Sequence, residues 1–316
     1  MLKAIYLDNN KFTEIPKEMG FLDQLEDLYM QFNALKGPLP MAVFNISTLT
    51  TLTVYKNSLI GSIPDNICQH LPNIQVLHLG SNQFSGPLPS KLGQCKGLGI
   101  LLLGENNFTG TIPKNIGNLT QLTALYLGFN NLTGTIPNEI GNLQNLSTIP
   151  NEIGNLQNLE TLTFGDNNLN GLVPATIFNV SMIREIGLSF GRLSGSLPAN
   201  IGLGVPNLKF LFAASNNFSG GIPNFSNASK LIKLDMKSNS LTGFIPSTLC
   251  PLRNLQWLSL NHNNLTLDTS TPEASILSCL ASLRNLTTLY LGNNPFNDTL
   301  PVSISWEIFL SIPSVP

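Results

Sequence analysis

The residues able to do acid–base, nucleophilic or metal chemistry are few, and their spacing speaks against catalysis. Histidine occurs three times, at His70, His78 and His262, and cysteine four times, at Cys68, Cys95, Cys250 and Cys279. A hydrolytic triad needs a base beside a nucleophile, and a tetrahedral metal site needs ligands that converge. His78 and His262 are far apart in the chain, and His70 reads as a residue of a surface turn. The cysteines show neither C-x-x-C spacing nor the density of a disulfide scaffold, so buried, unpaired thiols are expected. Also absent are a glycine-rich phosphate loop on a strand, a V-A-I-K lysine, H-R-D and D-F-G. No catalytic residue, cofactor or metal ligand is therefore expected.

What remains is the chemistry of recognition. Phe210 and Phe212, then Lys233, Asp235 and Lys237, recur at two-residue spacing in successive stretches, Trp257 and His262 follow in the next, and Tyr126 holds an equivalent place earlier. Such spacing puts aromatic anchors and both signs of charge on one face of a strand array, a composition suited to an extended peptide or protein partner. Charged residues make up only 11% of the chain and the net charge is -2, which excludes a polybasic surface for nucleic acid. The longest apolar run, Phe210 to Ala214, is far short of the roughly 20 residues that cross a bilayer.

The elements that must position these side chains follow from two overused residues, Leu at 55 and Asn at 39 of 316. The pattern L-x-x-L-x-L-x-x-N-x-L places its final Asn at Asn10, Asn33, Asn57, Asn82, Asn106, Asn130, Asn167, Asn216, Asn239, Asn263 and Asn294, with Gly191 in the remaining slot. Nine of the eleven intervals lie within one residue of 24, a leucine-rich repeat period. Each L-x-L reads as a short strand with its leucines turned inward, and stacked coils make a parallel sheet over a continuous core. An Asn side chain both donates and accepts, so at the turn it can satisfy backbone groups of neighbouring coils as a ladder. The fold class is thus an α/β-type solenoid, a right-handed superhelix or horseshoe with a parallel concave sheet and a convex side of 3₁₀ turns and loops.

The second half of each unit reads L-x-G-x-[IL]-P, as in Phe108-Thr-Gly110-Thr-Ile112-Pro113, Leu132-Thr-Gly134-Thr-Ile136-Pro137 and Leu241-Thr-Gly243-Phe-Ile245-Pro246. These units resemble the plant-specific leucine-rich repeats of receptor-like serine/threonine kinase ectodomains, and the resemblance covers residues 1 to about 304. The longer unit from Leu265 to Pro301, with Asn294-Pro295-Phe296 and Leu300-Pro301, is similar to one in the subfamily that senses bacterial flagellin and elongation factor. The resemblance implies a fragment of a longer, cell-surface receptor that binds a peptide or protein on its concave face and pairs with a co-receptor kinase carrying such repeats. Two other readings are a secreted inhibitor of a cell-wall-degrading enzyme and a non-functional gene fragment.

Twelve N-x-[ST] sequons occur, at Asn45, Asn107, Asn118, Asn131, Asn145, Asn179, Asn217, Asn224, Asn227, Asn264, Asn285 and Asn297. Several directly follow a ladder Asn, so the ladder residue keeps its role while its neighbour is free to carry sugar in the intact parent. The array has two irregularities. Residues 136–148 and 149–161 are a tandem duplication differing only at Ser147 and Glu160, which predicts a bulge without an added strand. After Ile304 the repeat gives way to an aberrant tail, residues 305–316, whose reverse translation yields Gly-Asn-Leu-Ser in another frame, the continuation the repeat calls for. Residues 1–10 alternate like a strand and lack the apolar core of a secretory signal.

Overall fold

In the computed structural model, residues 2–140, 156–268 and 276–296 are described. They form two compact units, residues 1–170 and 171–316. In the first unit the L-x-L segments are three-residue strands, Ala4–Tyr6, Asp27–Tyr29, Thr51–Thr53, Val76–His78, Ile100–Leu102, Ala124–Tyr126 and Thr161–Thr163. They pair in sequence order, all parallel, with equivalent residues opposite one another. The second unit repeats this with Glu185–Gly187, Phe210–Phe212, Lys233–Asp235, Trp257–Ser259 and Thr288–Tyr290. Alternation sends the central residue of each strand inward: Leu28, Leu52, Leu101, Leu125, Leu162, Leu211, Leu234 and Leu258 are fully buried.

A one-sided sheet of three-residue strands leaves many backbone groups unpaired, and the Asn ladder takes up part of that deficit. Asn106 is representative. Its amide donates to the carbonyls of Leu79, Leu103 and Gly104 at 3.0–3.2 Å, and its Oδ1 accepts the Phe84 N–H at 2.9 Å. The residue before each ladder position is left-handed although none is glycine, from Asn9 at φ 57° to Asn293 at φ 54°. Phe32, Phe129, Phe190 and His262 occupy this position and are exposed, so the turn presents bulky side chains at the rim of the sheet.

The L-x-G segments make a second set of parallel strands on the flank, such as Asn107–Thr111 and Asn131–Gly134. Gly110 and Gly134 have φ of 77° and 76°, a conformation that disfavours a side chain and bends the chain into the next segment. Beyond the Pro, the helical side holds 3₁₀ turns such as Lys114–Asn118 and short α-turns such as Met41–Phe44 and Ile67–His70. Gly117 in the I-G-N motif has no room for a Cβ, which would lie 2.2 Å from the Glu139 carbonyl oxygen of the next coil.

The expectation of four free thiols is wrong. Cys68 is joined to Cys95 and Cys250 to Cys279, with Cα–Cα distances of 4.8 and 5.8 Å. Sequence separations of 27 and 29 correspond to one coil plus a few residues, so each pair sits on successive helical turns of the stack. Within the duplication, residues 141–155 lie outside the described residues, as does the tail 305–316. The strand Ala124–Tyr126 pairs directly with Thr161–Thr163, Leu125 lying opposite Leu162.

Candidate functional site

The outward positions of the strand sheet lie four and six residues before each ladder position, where a strand's alternate side chains leave the core. In the second unit they gather most of the residues singled out in the sequence. Phe210 and Phe212, two apart on one strand, have ring centroids 6.3 Å apart and nearly parallel planes. Lys233 lies opposite Phe210 on one side and Trp257 on the other, and its Nζ sits 5.9 Å from the Trp257 ring centroid, a cation–π contact. Trp257 in turn meets Tyr290 with centroids 5.2 Å apart. Asp235 accepts the Lys237 N–H and stands 4.0 Å from the Lys237 ammonium. His262 is at the exposed rim, its Nδ1 2.8 Å from the Asn261 amide and its Nε2 2.6 Å from that of Asn293.

The result is a ladder of aromatic faces and charges of both signs spread over four adjacent strands, chemistry that binds through stacking, cation–π contact and hydrogen bonds. Tyr126 is apart from this group, on the first unit, where its ring crosses Gly104 so closely that a Cβ there would come within 2.0 Å of Cε1. Two residues of the second-unit face went unselected in the sequence. Tyr290 occupies the same stripe as Phe212 and Asp235, and Glu185 lies opposite Phe210.

A second aromatic group, on the first unit, was visible only in part. Tyr6 stacks on Tyr29 at 4.9 Å, and Tyr55 stacks on His78 at 4.6 Å while meeting Phe32 edge-on at 5.3 Å. Lys56 covers the Phe32 ring, its Nζ 5.3 Å from the centroid. Burial lowers the His78 pKa below the usual imidazole value, keeping the ring neutral. Phe32 and Tyr55 come from the turn positions one and two residues before the ladder, and for Tyr55 a bulky side chain in an otherwise small or polar row is the available signal. Among the described residues no group of three His, Cys, Asp or Glu could hold a metal ion. No described helix is long and apolar enough to cross a membrane.

Of the described sequons, Asn45, Asn107, Asn118, Asn131, Asn179, Asn217, Asn227, Asn264 and Asn285 are exposed and Asn224 is half-buried. Asn145 and Asn297 lie outside the described residues. Asn285 also donates to the Arg253 carbonyl at 2.7 Å. It belongs to a second Asn ladder on the opposite corner of the coils, with Asn73 to Ser47 and Asn158 to Thr120 in the first unit and Asn207 to Ser181 and Asn254 to Ser229 in the second.

Comparison with known proteins agrees with the repeat fold. Leucine-rich repeat models match residues 73–95, 97–119, 121–143, 223–265 and 285–306. Receptor-like protein 39 of Arabidopsis thaliana is 36% identical over 89 residues, 28% of this chain and 10% of that protein. Among solved structures, PEPR1–AtPEP1 superposes with a TM-score of 0.77 at 29% identity, covering 96% of this chain and 43% of that one. The Arabidopsis receptor kinase HAESA, in complex with the peptide hormone IDA and the co-receptor SERK1, gives 0.71 at 30% identity, covering 93% of this chain and 50% of HAESA. A leucine-rich-repeat protein of Leptospira interrogans gives 0.58 at 30% identity, covering 84% of this chain and 67% of that one. The chain belongs to the leucine-rich-repeat proteins. Its repeats are homologous to those of plant receptor-like proteins and receptor kinases, and it spans about half the length of the HAESA ectodomain and a tenth of the curated relative.

Proposed function

We propose that this chain is a ligand-recognition segment of a plant receptor-like kinase or receptor-like protein, acting at the outer face of the plasma membrane in immune or developmental signalling. The observation that carries this reading is the aromatic and charged face of the second unit, Phe210, Phe212, Lys233, Asp235, Lys237, Trp257, Tyr290 and His262, on a rigid parallel sheet. An extended peptide laid across the strands meets one ring or charge at each step of about 4.8 Å, so affinity grows from many small contacts without loss of preorganisation. Two structural homologues are receptors whose structures include AtPEP1 or the hormone IDA, and the second also holds a co-receptor, so a co-receptor is the proposed second partner. Membership of the flagellin- and elongation-factor-sensing subfamily is proposed from the longer unit between Leu265 and Pro301. The two disulfides suit an oxidising compartment and support an extracellular location. Calorimetry against peptides selected on the chain tests the reading: Trp257→Ala and Phe212→Ala are expected to weaken binding at least tenfold, and unchanged affinity in both variants refutes it.

A further inference from the structure

Glu185 opens the strand Glu185–Gly187 on the outward face of the second unit, yet it belongs to none of the contacts described above. It is half-buried, and among the described residues it makes no ion pair or hydrogen bond. Its neighbour across the sheet is Phe210, whose ring pairs face to face with Phe212. Lys233, one strand further, is directed to Trp257 and does not serve as counter-ion. A carboxylate drawn partly out of water with nothing to offset the loss of hydration is costly, and burial raises its pKa accordingly. An aromatic surface beside a bare carboxylate is what a guanidinium seeks: its plane stacks on rings while its N–H fork pairs with the two carboxylate oxygens.

We infer that Glu185, with Phe210 and Phe212 as its aromatic wall, is a subsite for an arginine side chain of the ligand. The inference rests on the peptide-recognition reading above and adds the chemistry of one ligand position. An arginine there restores the electrostatic stabilisation that Glu185 loses on burial, and it sets direction, since the acceptor lies at the Glu185 end of the face and the cation-bearing Lys233 and Lys237 lie beyond it.

The test uses a phage-displayed library of random twelve-residue peptides selected on the full chain and, separately, on Glu185→Gln, which keeps shape while removing charge. Selection on the wild type is expected to enrich arginine at one position, and selection on Glu185→Gln to lose that preference. A selected peptide resynthesised with citrulline for that arginine is expected to bind the wild type about tenfold more weakly and Glu185→Gln no more weakly than its parent peptide does. Peptides that depend on Trp257 but carry no preferred arginine, or a citrulline penalty equal in both proteins, overturn the subsite and leave peptide recognition standing. Preference for lysine equal to that for arginine overturns the stacked-guanidinium geometry. Failure to select any peptide dependent on Trp257 overturns both readings.

Discussion

A single ladder asparagine makes four hydrogen bonds with one amide, and a single glycine shows what the same slot looks like without them. Asn106→Ala strands the buried Phe84 N–H and takes one donor from each of three carbonyls that keep another, in Asn82, Asn130 and the Ser81 N–H, and a loss of about 2 kcal/mol in chemical denaturation is expected. Gly191 sits in the ladder frame with no side chain, whereas Asn216 in the next coil donates to the Leu188 and Ala214 carbonyls. Gly191→Asn supplies equivalent donors to its own turn and removes glycine's freedom from the unfolded chain, so a gain of about 1 kcal/mol is expected in the same assay. Glu185 makes a prediction of opposite character. The folded state holds its proton to higher pH than the unfolded chain, which titrates near 4.5. The relative stability this confers is complete below that value and is lost as pH rises through the raised folded pKa. Arg184 on its own coil, Lys209 on the next and Lys233 on the one beyond are the cations in its surroundings. Melting temperatures of Glu185→Gln and wild type should therefore coincide at pH 3.5, with the variant higher at pH 7; a constant difference across that range refutes the assignment.

At the scale of elements, the strands, the flanking segments and the helical turns are tied by different devices, and the sequence announced them unequally. The inward leucines and the first Asn ladder were legible because alternation and a 24-residue period are written along the chain. The second Asn ladder was not, since Asn73, Asn158, Asn207, Asn254 and Asn285 stand in a plain x-N-[IL] context shared with many surface turns. The disulfides were missed for a related reason: close spacing was sought, whereas a stacked coil brings residues 27 or 29 apart into contact. Removing Cys68–Cys95 by replacing both residues with Ser frees a loop of that length in the unfolded chain and is expected to cost about 3–4 kcal/mol, read as a fall in the denaturation midpoint. A midpoint unchanged in the double variant, with the wild type shown oxidised by thiol titration, contradicts that contribution. The candidate site was legible as a face but not as a set of contacts. That Lys233 leans on Trp257, and Tyr55 on His78, depends on rotamers chosen against the neighbouring coil.

For the whole molecule, expression through a secretory pathway is expected to place sugars at exposed sequons such as Asn107, Asn131, Asn217 and Asn264, with lower occupancy at half-buried Asn224, whose Oδ1 accepts the Ser226 N–H. Glycopeptide mass spectrometry reads this directly, and occupancy highest at Asn224 refutes the ordering. The sequence by itself determined the repeat, the strand frame, the inward and outward faces, and the absence of the familiar kinase signatures, because each of these is a periodic or local property of the chain. The tertiary structure alone decided which cysteines join, which rings stack, and which carboxylate is left without a counter-ion among the described residues. The disulfides and most of the ring pairs join residues about a coil apart, and they are fixed only when stacking sets the register of one coil on the next and removes water from between them.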